Sequence, residues 1–132
     1  MATLASAKTK YVSDSVQTMS PGQMIVALYD RMILDLDRAE AAIAAADIYG
    51  AHCALMHAQD IVGALHTSLD TKQWPGGAQL VTLYRSIATE LIAANVTKDA
   101  ARVRGCRDLL APLRDAWRQA AGIALSEGPG AL

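Results

Sequence analysis

Apolar residues along this chain recur in steps of three and four, the period of an α-helix rather than a strand. From Pro21 onward Ile25, Tyr29, Met32, Leu36, Ala39, Ile43 and Ala46 form one stripe, which predicts a helix over 21–46. Ser20-Pro21-Gly22-Gln23 opens it as a capping box, with serine accepting from the Gln23 amide and proline at the first helical position. Asp47 is placed to cap a second helix, 48–69, whose stripe is Ala51, Leu55, Ala58, Val62, Leu65 and Leu69. Trp74-Pro75-Gly76-Gly77 marks the one long connection. A third helix, 78–95, carries Leu80, Tyr84, Ile87, Leu91 and Ala94. A fourth, 99–125, starts at Thr97 or Asp99 and carries Val103, Cys106, Leu110, Leu113, Trp117, Ala120 and Ala124.

Four amphipathic segments joined mostly by short turns predict an all-α protein, an antiparallel four-helix bundle over residues 20–125. Residues 1–19 read as a flexible N-terminal arm, with Tyr11, Val12, Val16 and Met19 as sparse apolar anchors, and residues 126–132 as a disordered tail. Pro112 falls inside the fourth stripe. It predicts a bend near Asp108 rather than a break, because the pattern continues in phase through Leu113 and Trp117.

Composition narrows the function more than the fold. The 132 residues are 52% hydrophobic and 19% charged, enough apolar material for one self-sufficient core. Twelve basic against thirteen acidic side chains leave a net charge of −1, which argues against a nucleic-acid partner. Arg104, Arg107, Arg114 and Arg118 share a face of the fourth helix, but Asp99, Asp108 and Asp115 interrupt it. That face reads as solvated and laced with i,i+4 pairs. No stretch is long and apolar enough to insert in a membrane, and no signal peptide is visible, so the expected location is the cytoplasm. Cys53 and Cys106 stand far apart, which fits a reducing compartment and two buried thiols.

Catalytic signatures are sparse. His52, His57 and His66 all fall on the second helix at spacings that do not make a zinc pair, and no haem, di-iron or phosphate-loop motif occurs, so no metal or cofactor is expected. Cys53, His57 and Asp60 share a helix face as a loose nucleophile–base–orienter set, on what reads as the outer face. The stronger alternative is a histidine phosphotransfer domain, also a small four-helix bundle, using His52 or His57. No lysine or glycine follows either histidine at the spacing that steadies a phosphoryl group.

More telling is apolar surface beyond the needs of a bundle stripe. Met24, Val26 and Leu28 make the start of the first helix apolar all round, and Leu80-Val81-Thr82-Leu83-Tyr84 does the same on the third. Such an excess either widens the core or forms a groove for an amphipathic helix, with Met24 and Met32 as adaptable linings.

Ser20-Pro21-Gly22-Gln23-Met24-Ile25-Val26-Ala27-Leu28-Tyr29-Asp30 resembles the opening signature of the flagellin export chaperones, the FliS family. Further blocks follow in order: Ala58-Gln59-Asp60-Ile61-Val62, Leu65 to Asp70, Gly76-Gly77, Leu80 to Tyr84, Ala94-Asn95, and Leu113 to Trp117. The chain departs from the pattern in a short Gly77–Leu80 link, in Gln79, and in Thr89-Glu90 where a basic pair is usual. The resemblance implies a non-enzymatic cytoplasmic chaperone that binds the disordered C-terminal segment of flagellin. It would block premature polymerisation and deliver the subunit to the flagellar export gate. It further implies a groove, assigned to Met24, Ile25, Leu28, Tyr29, Met32, Gln59, Leu83 and Tyr84, with Tyr11, Val12, Val16 and Met19 as a flap over it when flagellin is absent. Exchange of that arm between two copies would give a homodimer.

Overall fold

A computed structural model describes residues 19–70 and 77–122. Four helices follow one another: α1 Pro21–Ala44, α2 Ile48–Asp70, α3 Gly77–Thr97 and α4 Ala100–Ala120. Among the described residues there is no strand. Each helix packs on its chain neighbour and α4 closes back on α1, so the four form a ring in the order α1-α2-α3-α4. The all-α bundle expected from the stripes is the observed fold.

Local chemistry sets the helix ends. At α1, the Ser20 hydroxyl accepts from the Gln23 amide at 3.2 Å and the Gln23 side chain accepts from the Ser20 amide at 2.9 Å, completing the capping box. At its far end the Ala46 amide donates to Ile43 and the Asp47 amide to Ala42, with Ala46 left-handed at φ 58°. Asp47 then starts α2, its carboxylate accepting from the Gly50 amide at 2.9 Å. A Cβ at position 50 would lie 2.2 Å from that carboxylate, so glycine is what lets the cap close. Asp99, not Thr97, caps α4 by accepting from the Ala101 amide. Lys98 before it is left-handed, at φ 52°, which keeps the α3–α4 turn as short as the α1–α2 turn.

α4 stops at Ala120, short of the expected 125, because Gly122 turns left-handed (φ 72°) and donates to Gln119, ending the ladder. The expected stripe residue Ala124 lies outside the described residues, as do Tyr11, Val12 and Val16 of the arm. Met19 is described and is partly buried ahead of the cap. Pro112 is exposed and α4 runs through it; the carbonyl it leaves without a helical partner belongs to exposed Asp108, within reach of water.

The core is one cluster drawn from all four helices and centred on Tyr29, Met32, Leu36, Leu55, Ile87, Leu91, Val103 and Leu110. Two expectations change here. Cys106 is buried, but Cys53 is exposed, since it sits on the outer side of α2 between turns of the core stripe. Among the described residues the α4 arginines pair chiefly with other helices rather than at i,i+4, though Arg114 also meets Asp115 and Arg102 also meets Asp99. Arg114 and Arg118 both reach Asp30, Arg107 reaches Asp37 and Arg104 reaches Glu40, all on α1, while Arg102 reaches Glu90 on α3. The charged face is thus a seam between helices.

Candidate functional site: a groove between α2 and α3

Along the α2–α3 junction runs a cleft of about 330 Å³. Gln59, Asp60, Val62, Gly63 and His66 line it from α2, and Tyr84, Arg85, Ala88 and Ile92 from α3. Val62 and Tyr84 are buried and form its floor, while Ile92 stands half exposed on its wall. A Cβ at Gly63 would meet nothing within 4 Å, so the missing side chain leaves the cleft open there. One turn beyond Ile92 on α3, Val96 is 79% exposed. On α2 the same side carries Met56, 41% exposed, and near the turn Tyr49, 78% exposed. Together these make an apolar strip outside a core that is already complete.

Polar contacts fasten the two helices at the turn end of the strip. The Asn95 amide donates to His52 Nδ1 at 3.1 Å, and Lys98 donates to Asn95 Oδ1 at 2.8 Å. The exposed Tyr49 hydroxyl is held above its ordinary pKa first by a hydrogen bond with the Cys53 sulfur, then by the negative charge that sulfur bears as a thiolate. His57 turns the other way and bonds through Nδ1 to Asp35 of α1, not to Cys53 or Asp60. Asp35 is itself buried and accepts from Arg31 at 3.2 Å. The Cys53–His57–Asp60 arrangement is therefore not assembled. Among the described residues no group of His, Cys, Asp and Glu could hold a metal ion.

Of the residues expected in a groove, Gln59 and Tyr84 line this cleft. Tyr29 and Met32 are wholly buried, and Tyr29 meets Tyr84 hydroxyl to hydroxyl at 2.6 Å beneath the cleft floor. Burial raises the pKa of both phenols, with hydrogen bonds from Tyr84 and Trp117 partly offsetting it at Tyr29. Met24, 46% exposed, and half-buried Leu28 lie away from the cleft, on the side of α1 that faces α2. Leu28 stands seven residues before Asp35, whose partner is His57 of α2. Leu83, seven residues before Glu90, falls instead on the α3–α4 side, and Ile25 packs partly buried against the core. Val26, counted among the apolar excess, is buried.

Val62 belongs to the core stripe; Arg85, Ala88, Ile92 and Gly63 had no place in the expected groove. Their sequence signal is a second, outer stripe: Arg85, Ala88, Ile92 and Val96 on α3, beside Tyr49, Cys53, Met56, Asp60 and Gly63 on α2, each in steps of three, four or seven.

A family model for the flagellar protein FliS matches residues 4–124. The chain belongs to the FliS family. The matched span contains every sequence block from Ser20 to Trp117 that resembles FliS. The flagellar secretion chaperone FliS of Bacillus subtilis (strain 168) is 28% identical over 112 residues, covering 85% of this chain and 84% of that protein. FliS membership makes the chain one of a chaperone family of flagellar export, and the four-helix bundle is consistent with it. No helix among the described residues is long and apolar enough to cross a membrane.

Proposed function

We propose that this FliS-family chain is a cytoplasmic, non-enzymatic chaperone that binds the disordered C-terminal segment of flagellin, prevents its premature polymerisation and presents it to the flagellar type III export gate. The observation that carries this reading is the apolar strip along α2 and α3, left open outside a closed core. A disordered segment with one apolar face gains by folding as a helix against such a strip, and the same act covers the surface that would drive polymerisation. Ordering the segment costs about 2–5 kcal/mol, which keeps binding weak enough for release.

Within this reading Gln59 supplies a polar contact in the cleft and Tyr84 its floor, with Tyr29 and Met32 supporting from below. Met24, Ile25 and Leu28 extend the apolar surface toward the start of α1, and Leu83 toward α4. Tyr11, Val12, Val16 and Met19 act as a flap that competes with flagellin. The deciding experiment is calorimetric titration with the C-terminal segment of flagellin from the same organism. Saturable binding with a negative heat-capacity change supports the reading. Absence of heat at several temperatures, with the fold intact, defeats it. Deleting residues 1–18 should tighten binding, and a weaker complex would remove the flap from the proposal.

A further inference from the structure

Two unpaired charges flank the cleft, one on each helix. Arg31, Arg102, Arg104, Arg107, Arg114 and Arg118 are all engaged by carboxylates. Arg85 and Asp60 are exposed, line the same cleft from opposite walls, and make no ion pair among the described residues. Since α2 and α3 run antiparallel, with His52 level with Asn95, these two charges stand at nearly the same height along the cleft. Between them lies the apolar floor of Val62 and Tyr84.

We infer that Arg85 and Asp60 set the direction in which the bound segment runs. This rests on the proposed binding of flagellin's C-terminal segment. From Arg85 to Val96 the strip spans about 17 Å at 1.5 Å per residue, room for roughly three turns of an amphipathic helix. Laid apolar face down, such a helix turns one flank to α2 and the other to α3. Reversing its direction exchanges the flanks. A segment with an acidic flank and a basic flank therefore satisfies Arg85 and Asp60 together in one direction only. In the other direction it sets like charges against each other at both walls, which disfavours that complex. Apolar burial supplies affinity without regard to direction; the two charges supply the polarity.

The test is titration of the wild type and the double variant Asp60→Lys/Arg85→Glu with two probes. One is the natural C-terminal segment of flagellin; the other is the same segment with every Asp and Glu changed to Lys and every Lys and Arg to Glu. Both substitutions are on exposed positions, and circular dichroism checks that the bundle is retained. At low ionic strength the double variant should bind the natural segment at least tenfold more weakly than wild type does, and the inverted probe should reverse that order. The variant Arg38→Glu, which reverses another exposed arginine on α1, should bind as wild type does. Photocrosslinks from one end of the natural segment should map near Val96 and from the other near His66. Equal binding of the natural segment by wild type and the double variant, or crosslinks from either end to both places, overturns the inference and leaves the chaperone reading standing. No binding of the natural segment by wild type overturns both.

Discussion

The phenolic oxygens of Tyr29 and Tyr84 lie 2.6 Å apart in the middle of the bundle, joining α1 to α3 across the ring rather than along it. Neither helix packs extensively on the other, so this bond ties together elements that are otherwise linked through α2 and α4. Removing one hydroxyl leaves the other with a partner missing. Tyr84→Phe should destabilise the fold by about 1–2 kcal/mol. Tyr29→Phe/Tyr84→Phe should cost less than the sum of the single changes, because no half-satisfied buried hydroxyl remains. Urea denaturation of the four proteins measures the coupling directly.

Ala46 holds a left-handed backbone, φ 58°, at an exposed position where its methyl makes no core contact. L-residues carry a steric penalty there that glycine escapes. Ala46→Gly should raise stability by about 1 kcal/mol, seen as a higher denaturation midpoint with an unchanged slope.

Alkaline conditions should weaken the fold in stages. Burial, helped by the nearby Glu90 charge, pushes the Cys106 thiol up from its ordinary 9.0 to about 11. Tyr29 and Tyr84 are raised above 10.0, chiefly by burial. Each group holds its proton more tightly folded than unfolded, so the native state binds more protons and stability falls as pH rises. The Cys106 contribution is complete below pH 9 and is lost as pH passes through about 11; the tyrosine contributions follow at higher pH. Cys106→Ala should flatten the decline between pH 9 and 11 in a pH series of denaturation curves. An unchanged slope there would contradict the assignment.

Gly63 separates folding from binding. Its Cβ position is open space inside a helix, so Gly63→Ala should stabilise the protein by about 1 kcal/mol through helix propensity alone. Gly63→Trp should keep the bundle folded while filling the cleft. Calorimetry with the flagellin segment should then show binding reduced at least tenfold, against a thermal midpoint close to that of wild type.

The bundle was legible because its determinants are local. Ser20 and Gln23 specify one helix start, Asp47 and Asp99 two others, and the stripes through Leu36, Leu55, Leu91 and Leu110 name the core. The cleft was less legible because excess apolarity is ambiguous in one dimension. Val26 and Met24 look alike in sequence, yet Val26 is buried and Met24 is half exposed; only the crossing of neighbouring helices decides between them. Arg85 was harder still. Its significance is that no carboxylate among the described residues reaches it, and ion pairing between helices cannot be read from the spacing within one. The same limit hid the partners that the α4 arginines find on α1 and α3.

The seam of Asp30, Asp37 and Glu40 with the arginines of α4 gives the whole domain a back, and the α2–α3 strip on the opposite side of the ring gives it a front. An amphipathic helix separates polar from apolar by turning through a hundred degrees per residue; here the separation is repeated one level up, with entire helices in the place of residues. The back is closed by charge pairs between helices, while the front offers a surface that is mostly apolar. On the proposed function, substitutions on the outer faces of α2 and α3 change the grip on a client without disturbing the core that keeps the bundle folded.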